Sequence, residues 1–362
     1  MRQNSSSRNQ SWLILLVLIG VISGLTGCAG LSWYGQAASG QLTLLSKRED
    51  IADLLADPSI DTQLAERLRL ALAIRDFAVS ELGLPDSPSY TEYADLGRSA
   101  AVWNVVAAPR FEVEPKTWCY PMVGCLAYRG YFDQQEAERA AENLEAEGYD
   151  AAVFPVPAYS TLGWFADPVL NTMLGRGDTW LAGLIFHELT HEKLFVKGDT
   201  AFSEAYATAS ERIGLERWLA ARGDLEELER WRRAEAVQAR FTELLLDSRE
   251  SLAQVYSSEL TDAGKQERRE QIFEALKARV RSLDQDVGDD RFSRWASRDI
   301  NNAHLALVAT YEAWVDGFLR IYAACESNLA CFHDRIADLA KADADTRRRV
   351  LSDTGKSVDD PA

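Results

Sequence analysis

The sequence predicts an α+β fold, with a mixed β-sheet in the first half of the chain and a mostly helical second half. Two observations carry this. Between about residues 84 and 161, short aromatic and β-branched runs sit among Pro and Gly breaks: Tyr90, Tyr93, Val102, Trp103, Val105, Val106, Phe111 and Val113. Between about 178 and 345, apolar residues recur at three and four, the period of a helix buried on one face. With 47% hydrophobic residues and 10 Trp, 12 Tyr and 13 Phe, the chain can fill a sizeable core, which excludes disorder over most of its length.

The elements follow in order. Arg2 and Arg8 stand in a polar opening, and an apolar run begins at Trp12, soon interrupted by Gly20, Ser23 and Gly24. It is too short for a comfortable membrane span, and the basic start with a short apolar middle is the pattern of a secretory signal. The run ends in Leu25-Thr26-Gly27-Cys28, which resembles the bacterial lipobox. That resemblance implies removal of residues 1–27 and lipidation of Cys28, and Ala29 in place of Asp implies an outer-membrane anchor facing the periplasm. An uncleaved N-terminal anchor with an incidental Cys is the alternative. The 39 Lys and Arg against 56 Asp and Glu leave a net charge of −17, or −19 without the two arginines of the signal. So acidic a chain repels phosphate backbones, which excludes nucleic-acid binding as a main role. Membrane affinity then falls to acyl chains at Cys28, at about 0.8 kcal/mol per buried methylene.

Residues 32–47 mix polar and apolar side chains without a period, and 50–82 read as helical through Leu64, Leu68, Ala71 and Leu72. Residues 118–132 are aromatic and Gly-rich around Cys119 and Cys125. An amphipathic helix over 133–147 ends at Gly148, and 151–161 read as a strand that Pro155 and Pro157 confine to a sheet edge. Helices follow at 178–192, 200–222, within the charged stretch 224–287, at 299–325 and at 327–343. Residues 28–345 thus read as one unit, and 346–362, with Arg347-Arg348-Arg349, as a solvated polar tail. Four cysteines besides Cys28 allow three pairings. The local ones, Cys119–Cys125 and Cys325–Cys331, are favoured as loop staples suited to an oxidising compartment.

Chemistry concentrates at His187-Glu188-Leu189-Thr190-His191, an HExxH sequence that holds two of only four histidines. Two His four apart project from one helix face, so both imidazoles can bind one Zn²⁺ while Glu188 reaches an activated water as general base. A catalytic zinc takes three protein ligands, and Glu204 is the candidate third. It lies one turn inside the helix that Asp199 or Thr200 can cap, among apolar Ala201, Phe202, Ala205 and Ala207. Glu211, two turns further along that face, can fix a ligand imidazole by hydrogen bonding.

The stretch from His187 to Glu211 resembles the gluzincin metallopeptidases. More narrowly, the chain resembles a family of bacterial aminopeptidases of the zincin clan. The match rests on Trp118-Cys119-Tyr120-Pro121, Gly124-Cys125, Tyr128-Arg129-Gly130-Tyr131-Phe132, Tyr159-Ser160-Thr161-Leu162-Gly163-Trp164-Phe165, the HExxH segment, Val196-Lys197, Asp199, Glu204 and Asn301-Asn302-Ala303. Ser203 stands where that family commonly has Asn. The resemblance implies a zincin-like fold and zinc-dependent peptide hydrolysis, with one Zn²⁺ held by His187, His191 and Glu204. The strand ending at Tyr159, Ser160 and Thr161 can pair with an extended peptide substrate. A donor for the developing oxyanion is sought in His304 or Tyr311, seven apart on one helix. A zinc endopeptidase and a non-catalytic envelope lipoprotein that binds a peptide are the alternatives. A structural zinc would need a fourth protein ligand, and none is evident.

Overall fold

The computed structural model describes residues 28–120, 124–161, 165–312 and 314–352. The signal segment and Leu162, Gly163 and Trp164 lie outside them. Met1–Ser46 form one unit, described only as helix α1 (Cys28–Ser46), and Lys47–Ala362 form the other. Residues 32–47, read as without period, are therefore helical. Leu, Ala and Gln favour a helix even where no apolar stripe marks one. Among the described residues no helix is long and apolar enough to cross a membrane.

The larger unit opens with β1 (Arg48–Asp50), α2 (Ile51–Ala56) and α3 (Thr62–Ser80). The helical reading of 50–82 is split by Asp57-Pro58, after which the Asp61 side chain caps α3 by accepting from Leu64 N at 2.9 Å. The strand-rich part holds β2 (Glu92–Ala94), β3 (Val102–Pro109), β4 (Trp118–Tyr120), β5 (Gly124–Leu126), β6 (Arg129–Tyr131), α4 (Gln134–Ala146), β7 (Tyr149–Val156) and β8 (Val169–Leu170). These strands make three small sheets, where the sequence suggested one. β1-β2-β8 is mixed, β6-β3-β7 is antiparallel, and β4-β5 is a hairpin with Cys119 opposite Cys125. β3 is buried along nearly its whole length, and helix α4 packs on β3 and β7. β7 is an edge strand, as its prolines require.

The helical part runs through α5 (Asn171–Leu174), α6 (Asp178–Lys193), α7 (Thr200–Ala221), α8 (Leu225–Tyr256), α9 (Asp262–Arg281), α10 (Asp284–Val287), α11 (Arg291–Ala296), α12 (Asn302–Glu312), α13 (Val315–Ala324), α14 (Leu329–Leu339) and α15 (Ala344–Ser352). Phe202, Tyr206, Phe318, Phe332, Ile336 and Leu351 form a core that joins α7 to α13, α14 and α15. This corrects the reading of 346–352 as a polar tail. Leu351 is buried, and the Arg347 guanidinium forms an ion pair with Asp199 at 2.7 Å, both side chains close to nine-tenths buried. Arg347 is thus a structural cation and no part of a solvated run.

Asn301 and Asn302 tie α12 to the sheet. Asn301 Nδ2 donates to Ala151 O at 2.9 Å, and Asn302 Nδ2 serves the carbonyls of Pro109, Arg110 and Glu112. Asn302 is buried and accepts from the Tyr256 hydroxyl at 2.9 Å, so no polar atom there lacks a partner. Both local disulfides are present, Cys119–Cys125 and Cys325–Cys331.

Candidate metal centre

Helix α6 carries the HExxH residues and crosses α7 closely. Two glycines permit the approach. A β-carbon at Gly183 would lie 2.8 Å from Glu211 Oε1, and one at Gly214 would lie 2.7 Å from the Phe186 ring. The Asp199 side chain caps α7 by accepting from Phe202 N at 3.1 Å, and Arg347 holds that same carboxylate from the far side. Ser203, buried and directly before Glu204, accepts from Val196 N at 3.0 Å and donates to Asp199 O at 3.1 Å. Its hydroxyl therefore pins the turn into α7.

These supports bring His187, His191 and Glu204 together, with one donor atom of each within 4.8 Å of the others. Glu204 Oε2 lies 3.3 Å from His187 Nε2 and 3.4 Å from His191 Nε2. Those spacings match the edge, roughly 3.3 Å, of a tetrahedron of ligands held about 2.0 Å from a zinc ion. Two imidazoles and a carboxylate are a donor set that zinc favours. Glu211 Oε2 stands 3.2 Å from His187 Nδ1, so an Nδ1 proton donated to Glu211 would leave Nε2 available to a metal ion shared with Glu204. His191 Nδ1 is buried without a hydrogen-bond partner among the described residues. The residues fit a metal ion.

The electrostatics are those of a charge-dense, water-poor site. Burial opposes a charge on Glu204, but both histidines outweigh it and hold its carboxyl down to about 2. Burial likewise opposes protonation of His187, and the hydrogen bonds of Glu204 and Glu211 overcome it, so its pKa lies well above the ordinary value. Burial raises Glu188, against the pull of both histidines, toward a useful proton acceptor. The Ser160 hydroxyl hydrogen-bonds to it.

Ser160 stands beside Glu188, and Tyr159, Ser160 and Thr161 all lie outside a strand, because β7 ends at Val156. The segment is folded back on buried Asp167, which accepts from Thr161 N and Thr161 Oγ1 at 2.8 Å and from Ser160 Oγ at 3.2 Å. His304 hydrogen-bonds Asn301 at 3.0 Å and meets the Phe154 ring edge-on, and burial lowers its pKa to about 4. None of its contacts among the described residues is with His187, Glu188, His191 or Glu204. The backbone of Tyr311 lies in α12 and the side chain is outside the described residues, as is that of Cys28.

Sequence reasoning assigned no role to Asp167, Tyr90 or Tyr128. Tyr128 follows the disulfide-closed hairpin and leads into β6. Its phenol is driven up in pKa by burial and by the charges of Glu204 and Glu188, and it makes no hydrogen bond among the described residues. Burial and the charges of Glu188, Asp167 and Glu192 likewise act on Tyr90. Tyr128 stood among the residues that carry the family resemblance, whereas nothing local in the sequence ties Asp167 or Tyr90 to the site, because their neighbours are distant in sequence.

A model of one family, described as "Putative aminopeptidase", matches residues 32–351. No curated protein and no solved structure matches the chain.

Proposed function

From the premise that the chain belongs to this aminopeptidase family, we propose that it hydrolyses peptides at a zinc ion held by His187, His191 and Glu204. The observation that carries this reading is the convergence of both Nε2 atoms on Glu204 Oε2 beside a buried general base. Zinc bound there would supply Lewis acidity, lowering the pKa of water and polarising the scissile carbonyl. Glu188 takes the proton of the water whose oxygen adds to the carbonyl carbon, and returns it to the amine nitrogen as the C–N bond breaks. The single Ser160 hydroxyl proton is shared between the carboxylates of Glu188 and Asp167, which sets the position of Glu188. Tyr128, its phenol buried within reach of the charges of Glu204 and Glu188, is the donor the chain offers to the developing oxyanion. Glu211 fixes the His187 tautomer.

The zincin-like fold, lipidation at Cys28 and an outer-membrane, periplasmic location are part of the same proposal. The lipobox-like tetrapeptide and the two disulfides support an exported protein.

The test is metal content by mass spectrometry alongside chelator-sensitive peptide cleavage. Glu188→Gln should keep about one zinc per chain and lose hydrolysis by a factor on the order of 10²–10⁴, while His191→Ala should lose the metal. Full activity in Glu188→Gln, or a wild-type chain that binds no zinc, sinks the reading.

A further inference from the structure

The chain carries two disulfides of the same ring size, each joining residues six apart, so loop closure does not distinguish them. Their surroundings do. Cys325 is 6% exposed and lies in the core that joins α7 to α13, α14 and α15, with Cys331 packed half-buried against it. Cys119 and Cys125 are both exposed. They face each other across β4-β5, a sheet of two three-residue strands, and such a hairpin is marginal in water without a further constraint.

This hairpin abuts the turn that opens the helix of Glu204. A β-carbon at Gly124, whose φ is 84°, would lie 2.8 Å from Gly198 N and 3.0 Å from Gly198 Cα, so the two backbones touch. Thr200 Oγ1 donates to Cys125 O at 3.4 Å, and Thr200 is the first residue of α7. The turn itself is tight, with Asp199 N donating to Val196 O at 3.0 Å. Ser203 holds it through Val196 N, and Arg347 through the Asp199 carboxylate. Of the three holds, only the hairpin depends on a covalent bond that thiols in solution can reach. Glu204 lies one helical turn beyond Thr200, about 6 Å along the axis.

We propose that Cys119–Cys125 is a thiol–disulfide exchange site for dithiol reductants, and that its closure fixes the first turn of α7 and with it Glu204. A thiolate of the dithiol attacks the sulfur of Cys119 or Cys125. The S–S bond breaks as a mixed disulfide forms, and the other cysteine leaves as a thiolate that takes up a proton. The second thiol of the reductant then displaces the bound cysteine. Two electrons and two protons have passed to the chain, and the reductant departs as a disulfide. Exposed bridges exchange more readily than buried ones, which singles out this pair over Cys325–Cys331. Once open, the hairpin loses its register, and Gly124 and the Cys125 carbonyl release the Gly198–Thr200 turn. The inference rests on the peptidase reading only for its consequence, a weaker hold on the third metal ligand. For an exported chain the bridge closes only beyond the reducing cytosol, so the metal helix is completed there.

The test begins with the zinc-free full chain, which keeps its outcome separate from catalysis. Dithiothreitol is applied for increasing times, free thiols are trapped with iodoacetamide, and the alkylated cysteines are mapped by mass spectrometry. Cys119 and Cys125 should react at least about tenfold faster than Cys325 and Cys331. In Cys119→Ser/Cys125→Ser, amide hydrogen exchange over residues 202–204 should rise at least about tenfold while that over 215–219, late in the same helix, stays as in the wild type. Wild-type chain trapped with only the first bridge open should show the same local rise, and it serves where the double variant does not fold. Equal reduction rates, or faster opening of Cys325–Cys331, overturn the proposal. So does unchanged exchange over 202–204, or a uniform rise along α7. With zinc restored, the opened chain should bind the ion about tenfold more weakly in competition with a chromophoric chelator, and equal affinities of open and closed chains overturn the link to Glu204. A chain whose first turn responds to reduction, but which binds no zinc or cleaves no peptide with the bridge closed, overturns the peptidase reading and leaves the exchange site standing.

Discussion

Replacing Arg347 with methionine keeps an unbranched stem and removes the cation that faces Asp199. In the native chain Arg347 Nε lies 2.8 Å from Asp199 Oδ2, with a second nitrogen at 2.7 Å from the same oxygen. The guanidinium also caps Ala342 O and lies 5.6 Å from the Phe202 ring centre. Side-chain exposures of 10% and 12% make this a buried pair, so its disruption leaves a carboxylate uncompensated. Such losses cost about 3–5 kcal/mol. At roughly 2 °C per kcal/mol for a unit of this size, thermal unfolding should fall by about 6–10 °C. A double-mutant cycle isolates the pair. Asp199→Asn preserves a helix cap, so Asp199→Asn with Arg347→Met should cost less than the two single changes added, by about 2 kcal/mol. Zinc retention should weaken along with stability, because Glu204 lies on the helix that Asp199 caps. A loss below about 1 kcal/mol, or strict additivity in the cycle, would show that α15 does not brace the metal helix.

Three further outcomes are expected. Tyr128→Phe should lower kcat on the order of 10²-fold with little change in thermal stability, as read by initial rates and melting curves; an unaltered kcat removes Tyr128 from the reaction. Gly183→Ala, a change that in an open helix would add stability, should instead push Glu211 from His187 and weaken zinc binding about tenfold in a competition titration with a chromophoric chelator. Burial, reinforced by Glu188 and Glu192 against the Thr161 donors, raises Asp167 from its ordinary 3.8 to about 6. The folded chain therefore binds the extra proton between those values, and this group's contribution to stability is lost as pH rises through about 6, by roughly 3 kcal/mol. Melting temperature should accordingly drop less between pH 4.5 and 7 in Asp167→Asn than in the wild type, and parallel curves would refute the assignment.

Much of the site was legible because its geometry is helical. HExxH needs only the 3.6-residue period to set two imidazoles and a carboxylate on one helix. Glu204 was found by the same rule, one turn past a cap at Asp199, and Glu211 two turns further on. Helices 133–147, 178–192 and 200–222 came within a residue or two of α4, α6 and α7, since caps and turns are local signals. Strand pairing was less legible. Runs at 84–161 marked strands, but register and partners depend on segments far away, so one expected mixed sheet became three.

The sequence by itself determined the His187, His191 and Glu204 group that could hold a metal ion and the local disulfide pairs, because each is encoded by spacing within a helix, from one helix cap to the next, or within one short loop. Only the tertiary structure decided what surrounds them. Asp167 reaches Ser89 across 78 positions, and Arg347 reaches Asp199 across 148. Tyr90, buried with a left-handed backbone at φ 63°, owes its place to an arginine in α3 and an acid before β8. The physical reason is that a ligand helix needs only its own periodicity. The buried charges around it need partners that the chain can supply only after folding brings distant segments together.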